Sequence, residues 1–177
     1  LETAGIELGE GGPLVHDAFL RTTNPNVWVA GDAAGGMMQT PVASYEGRTV
    51  ATSIDSDDPI VPDCSAVPTT VFTVPPLAQV GLTEQAAADQ GIAYRVSKMP
   101  FEYSGAAIVE DQRDGIVKYL FAEQDDRLLG AHIAGPTAES LIYASALALR
   151  MRATSADLRA VLGIHPGYSE LLNWAAG

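Results

Sequence analysis

A polar, proline-rich stretch at residues 55–66 most constrains the fold of this chain. It reads Asp-Ser-Asp-Asp-Pro-Ile-Val-Pro-Asp-Cys-Ser-Ala, and a cluster of turn-forming residues of this kind is typical of a linker. The linker divides the 177 residues into a short block, 1–54, and a longer block, 67–177. We therefore predict two separate folding blocks rather than one continuous core.

The first block has the pattern of an α/β domain. Residues 13–21 and 27–30 are apolar runs of strand type, separated by the turn formers Asn24-Pro25-Asn26. A helix is predicted from Thr40 through residue 54, because Thr suits the N-cap and Pro41 suits the first helical position. The opening residues read like the end of a domain already under way, so we expect sequence upstream of Leu1.

The second block alternates strand-type runs with helix-type runs, which predicts an α+β domain with a mostly antiparallel sheet and flanking helices. Residues 136–152 are apolar on most of the helical circumference, so we expect this helix to be covered on both sides. The predicted strands are 69–74, 78–82, 93–101, 115–122 and 128–134, and the predicted helices are 84–91, 136–152, a short one capped by Thr154, and 169–176.

Charge and composition exclude several classes of partner. The formal net charge is −12, and such an acidic surface repels nucleic-acid phosphates and anionic lipid. No apolar run approaches the roughly 20 residues that span a bilayer, so we expect a cytoplasmic protein without membrane partners. His16 and His132 have no partners at metal-ligand spacing, which predicts no metal site. Cys64 is the only cysteine, so no intrachain disulfide can form.

Gly31-Asp32 is the first candidate binding element. The pair follows the apolar run Val27–Ala30, and open α/β sheets bind ligands at the ends of such strands. Glycine permits close approach of a ligand to the backbone, and the aspartate can accept hydrogen bonds from ribose-type hydroxyls. On these residues alone, a turn in which Asp32 caps a loop or helix is the commoner alternative.

His165 and Glu170 are the candidate catalytic residues. A carboxylate bound to one imidazole nitrogen fixes the tautomer and raises the basicity of the other, which suits a general base at neutral pH. The alternative is an ordinary surface pair, which is the commoner arrangement for a histidine near a glutamate.

Five segments, one of them Glu46-Gly47-Arg48, together resemble the class I pyridine nucleotide–disulfide oxidoreductases, the glutathione reductase, dihydrolipoamide dehydrogenase and mercuric reductase-like family. Thr22–Asp32 is similar to the family's second FAD-binding motif, and Thr40-Pro41-Val42-Ala43 to the start of the helix that follows it. Val67–Glu84 resembles the opening of the dimerisation domain. His165–Glu170 resembles the His-Pro-Thr-x-Ser-Glu signature, with Gly167 in place of the usual Thr.

The resemblance implies a part of an FAD-dependent NAD(P)H:disulfide oxidoreductase. Residues 1–54 would be the end of the FAD-binding domain with the exit from the NAD(P) domain, and 67–177 the dimerisation domain. Gly31, Asp32 and the helix start, Thr40 through Ala43, would contact FAD, whereas NAD(P)H would bind a domain missing from this chain.

The resemblance also implies a homodimer in which His165 and Glu170 serve the redox disulfide of the other subunit, with a small-molecule or protein disulfide as substrate. We expect the chain alone to be inactive, because the family's Cys pair and the glycine-rich loop for the ADP of FAD are not in it. The alternative is a non-catalytic dimerisation or binding module with the same fold.

Overall fold

The computed structural model describes residues 1–177, which form two compact units, Leu1–Cys64 and Ser65–Gly177. We refer to them as the first and the second unit. No helix in the chain is both long enough and apolar enough to cross a membrane.

The first unit is organised around one helix, α1 (Thr40–Ser53), with short 3-10 turns at Glu2–Ala4 and Gly31–Ala34. The strands predicted at 13–21 and 27–30 do not form. Those segments pair only at isolated bridges, Leu8 with Leu14, His16 with Thr22 and Arg21 with Trp28. A β-strand needs a ladder of consecutive pairs, and none of these bridges is continued into one.

Helix α1 begins where the sequence predicts, but its cap differs. The N-cap residue is Gln39, without a side-chain hydrogen bond to the helix, and Thr40 is the first helical residue rather than the cap. Four residues at helical spacing form its buried face, and one of them is charged. They are Val42, Glu46, Thr49 and Ser53.

The second unit contains a five-stranded antiparallel sheet, which confirms the predicted α+β architecture. The strand order is β1-β2-β5-β4-β3. The strands are β1 (Thr69–Val71), β2 (Leu77–Gly81), β3 (Tyr94–Pro100), β4 (Ile116–Ala122) and β5 (Leu128–Ala134). The helices are α2 (Glu84–Asp89), α3 (Gly105–Val109), α4 (Ala138–Arg150), α5 (Ser155–Ala160) and α6 (Glu170–Trp174).

The core of the second unit lies between one face of the sheet and helices α4 and α6. Alternate residues of the central strands point into it, among them Val117, Tyr119 and Ile133, all almost fully buried. On the opposite face, α2 packs over part of the sheet through the fully buried Ala87, in contact with the cluster of Leu120 and Leu129. The rest of that outer face is open.

Helix α4 is covered on one side only, which differs from the prediction that both sides would be covered. Leu141, Ile142 and Ala146 are buried against the sheet. On the other side, Leu147 is 53% exposed and Met151, just past the helix end, is 72% exposed. The sequence pattern counts apolar residues but does not say what covers them, and within this chain nothing covers the second side.

Candidate functional site

The Gly31-Asp32 turn is held rigidly against helix α1. Gly31 is buried with φ +71°, and a Cβ atom there would lie 2.8 Å from the Cβ of Ala43. The backbone N–H of Gly31 donates a 2.7 Å hydrogen bond to Oε2 of Glu46, whose side chain is buried. Only glycine fits this close approach in this backbone conformation.

Asp32 lies beside the amino end of α1 in a shallow cleft of about 510 Å³. Gly31, Asp32, Thr40 and Ala43 all line this cleft. The Asp32 side chain is exposed. Of the other predicted contacts, Pro41 is exposed but does not line the cleft, and Val42 points into the interior at 4% exposure.

The residues of this cleft offer polar contacts suited to part of a flavin nucleotide. The first turn of an α-helix has backbone N–H groups without intrahelical acceptors and the positive end of the helix dipole. The neighbouring Asp32 carboxylate supplies hydrogen-bond acceptors for hydroxyl groups. The missing side chain at Gly31 leaves room for close contact with the backbone, so the residues present fit the FAD contacts that the resemblance implies.

Glu46 contributes to this site through a hydrogen bond that sequence reasoning missed. Its signals in the sequence are its place in Glu46-Gly47-Arg48, which resembles the family, and its position four residues after Val42, on the buried face of α1. A buried carboxylate requires a partner, and the partner here is a backbone N–H fifteen residues earlier in the chain. The hydrogen bond fixes the turn that presents Asp32.

Cys64 is not positioned as a reactive thiol. Burial raises the pKa of the thiol above its ordinary value, and the negative charges of Glu46 and Asp63 raise it further. A raised pKa lowers the thiolate fraction at neutral pH, and the thiolate is the nucleophile. Any redox-active cysteine pair therefore lies elsewhere.

His165 and Glu170 are joined by a direct hydrogen bond in the second unit. Nδ1 of His165 lies 2.9 Å from Oε2 and 3.1 Å from Oε1 of Glu170. The glutamate side chain is only 12% exposed, whereas the histidine side chain is 72% exposed. Because a carboxylate accepts, Nδ1 carries the proton and Nε2 of the neutral ring is left with a free lone pair.

The segment that carries His165 is anchored by Tyr168, a second feature that sequence reasoning missed. The hydroxyl of Tyr168 donates a 2.7 Å hydrogen bond to Oε2 of Glu110, and its ring packs 5.6 Å from that of Phe101. Burial, followed by the Glu110 carboxylate, raises the pKa of Tyr168 to about 12. The two partners are 58 residues apart in sequence, so no local motif reveals them.

Comparison with known proteins identifies the family of this chain. Residues 67–176 match the model of the pyridine nucleotide-disulphide oxidoreductase dimerisation domain, and residues 1–47 match that of the pyridine nucleotide-disulphide oxidoreductases. The chain belongs to the pyridine nucleotide-disulphide oxidoreductase family. The second unit is thus the family's dimerisation domain, and the family resemblance seen in the sequence is confirmed.

Similar proteins include a dihydrolipoyl dehydrogenase of Halobacterium salinarum, 40% identical over 99% of this chain and 37% of that protein. A glutathione reductase of Burkholderia cepacia is 34% identical over 96% of this chain and 38% of that protein. The HOCl-induced flavoprotein disulfide reductase RclA from Escherichia coli has a TM-score of 0.89 and 31% identity, over 97% of this chain and 40% of that chain. The present chain therefore spans well under half the length of these relatives.

Proposed function

We propose that this chain is part of an FAD-dependent NAD(P)H:disulfide oxidoreductase and contributes contacts to FAD together with the His165–Glu170 acid/base pair. The observation that carries this proposal is the exposed His165 ring bound through Nδ1 to the largely buried Glu170 carboxylate. A purely structural pair does not require the second ring nitrogen to face solvent. Family membership and the Gly31-Asp32 cleft support the same reading.

Nε2 of His165 is the proton acceptor of the pair. It takes the proton of a thiol and so generates the thiolate that attacks a disulfide. The Glu170 carboxylate stabilises the imidazolium formed in that step. The protonated Nε2 then returns the proton to the thiolate that leaves when the substrate disulfide is broken, so the step is balanced in protons.

FAD, when bound, relays electrons between a nicotinamide and a disulfide. The residues that would hold it in this chain are Gly31, Asp32 and the amino end of α1. Asp32 would accept hydrogen bonds from the hydroxyls of the ribityl chain, and the helix dipole would stabilise negative charge near its N-terminus. The cysteine pair and the nicotinamide site come from outside this chain, and the chain alone has no disulfide reductase activity.

The open side of α4 supports a homodimer. Leu147 and Met151 line a groove of about 640 Å³ together with Leu162 and Ile164, and Leu162 is 93% exposed. Obligate dimer interfaces resemble a protein core cut in half, with large apolar side chains exposed in the isolated subunit. Ile164 directly precedes His165, so a second copy seated on this groove lies beside the acid/base pair.

The proposal is tested on the complete protein with NADPH or NADH and either a lipoamide-type or a glutathione-type disulfide. We expect bound flavin and nicotinamide-dependent disulfide reduction. His165→Ala removes the proton acceptor and slows turnover by about 10²–10⁴-fold while leaving the flavin bound.

Glu170→Gln retains a side chain of the same shape without the charge, so it tests how much that charge contributes to turnover. Glu123→Gln, on an exposed turn, is the matched control. A flavin-free protein that forms a dimer but reduces no disulfide would instead establish the non-catalytic dimerisation module. Loss of flavin in His165→Ala would contradict the assigned role of the histidine.

A further inference from the structure

One polar row crosses all five strands on the open outer face of the sheet. The registered partners are Thr69 with Gln79, Gln79 with His132, His132 with Lys118, and Lys118 with Lys98. Neighbouring residues on each strand, such as Ala78 and Ile133, point into the core. Because side chains alternate between the two faces of a strand, the five polar residues share the outer face.

The two lysines of this row are the only lysines in the chain, which carries a formal net charge of −12. Like charges directly opposite each other on neighbouring strands are destabilising. Lys118 is compensated, because its Nζ lies 2.9 Å from Oε1 of Glu84 on α2. Lys98 is exposed and Glu84 acts on it only as a more distant charge, so the two lysines and the one glutamate leave a net charge of +1.

His132 lies between the lysines and Gln79 with neither ring nitrogen hydrogen-bonded, although both are screened from solvent. Burial, then the charge of Lys118, lowers the pKa of the imidazole, against a smaller opposing effect of Glu84. The ring is therefore neutral at pH 7 and adds no charge to the row.

The row borders an open groove of about 530 Å³ whose remaining walls are apolar. Val71, Leu77, Ile116 and Ala134 line it together with the polar row, and Leu77 is 46% exposed. A concave apolar surface with a few convergent polar groups is the usual form of a small-molecule site. One net positive charge matches a monoanion rather than a doubly charged phosphate.

We propose that this groove binds a small amphipathic monocarboxylate, with its carboxylate held by Lys98 and its hydrocarbon body on Leu77 and Ile116. Lys98 supplies a charge-assisted hydrogen bond. This site is separate from the residues assigned to disulfide chemistry and does not depend on that assignment.

The probes are octanoate and octanol, which share a hydrocarbon chain and differ in charge, with binding to the complete protein measured by calorimetry. Octanoate is expected to bind about tenfold more tightly than octanol, the difference that one charge-assisted hydrogen bond gives. Lys98→Gln is expected to abolish that difference, whereas Arg113→Gln removes an exposed positive charge outside the groove and leaves the difference intact. Leu77→Ala is expected to weaken both probes.

Lysine acetylation mapped by mass spectrometry provides an independent readout. Octanoate is expected to protect Lys98, and octanol to leave it reactive. Equal binding of the two probes, unchanged octanoate affinity in Lys98→Gln, or a Lys98 that is unreactive without any ligand would each overturn the proposal. The last result would show that another part of the protein already covers the groove.

Discussion

Gly31→Ala tests the close packing of the Gly-Asp turn against α1, and Gly36→Ala is its matched control. Both glycines have nearly the same positive φ, +71° and +73°. Placing alanine in this left-handed conformation costs about 1–2 kcal/mol at either position. Only at Gly31 does the new Cβ meet another atom, the Cβ of Ala43 at 2.8 Å, whereas nothing lies within 4 Å at Gly36.

The difference between the two variants therefore measures the steric overlap alone. Overpacking costs about 1–3 kcal/mol, and the overlap is relieved only by moving the turn away from α1, which separates Asp32 from the helix start. If that cost falls on the bound state, FAD affinity drops by about 10–100-fold in Gly31→Ala. Gly36→Ala is expected to bind FAD as the wild type does.

The assay is titration of the flavin-free complete protein with FAD, followed by flavin fluorescence. Adding Ala43→Gly to Gly31→Ala removes the atom that the new methyl group meets and is expected to restore binding. Equal FAD affinity for Gly31→Ala and Gly36→Ala, or no rescue by Ala43→Gly, would refute the packing argument.

Two further predictions concern the stability of the dimerisation domain. A methyl group at Gly81 (φ +76°) would overlap the carbonyl oxygen of Leu129, whereas a methyl group at Gly91 (φ +65°) would meet no atom within 4 Å. Urea unfolding should therefore show that Gly81→Ala is about 1–3 kcal/mol less stable than Gly91→Ala. Equal unfolding midpoints for the two variants would contradict this. Burial raises the pKa of Tyr119 from 10.0 to about 12, so its stabilisation is complete below pH 10 and is lost as the pH rises towards 12, by about 2–3 kcal/mol. Tyr119→Phe should remove this part of the alkaline destabilisation, and an unchanged alkaline profile would count against it.

The sheet could be predicted well because its signals are local. Strand β5 occupies the predicted residues 128–134, and Thr154 caps α5 in a capping box, as its position suggests. The strands predicted at 13–21 and 27–30 are reduced to isolated bridges, because a strand requires a partner that continues the ladder, and strand propensity does not contain that information. Helix α3 was missed, since five residues without a side-chain cap give no periodic pattern.

The candidate sites divide in the same way between local and long-range information. His165 and Glu170 are five residues apart and meet as expected. The roles of Glu46 and Glu110 were missed because each acts through a hydrogen bond to a residue far away in sequence, Gly31 and Tyr168 respectively. Residue type and spacing predict which groups carry chemistry, but the groups that hold them in place become visible only in the folded chain.

The central claim, that His165 and Glu170 complete the active site of the second subunit, is tested most directly with a mixed dimer. One subunit carries His165→Ala and the other carries Asp32→Ala, each with a different affinity tag so that the heterodimer can be purified. Either homodimer is expected to be inactive. In the heterodimer, the intact FAD site and redox disulfide of the first subunit are served by the intact His165 of the second, so about half of the wild-type disulfide reductase activity returns, one site per two-fold dimer. A heterodimer as inactive as both homodimers would show that the pair does not act across subunits.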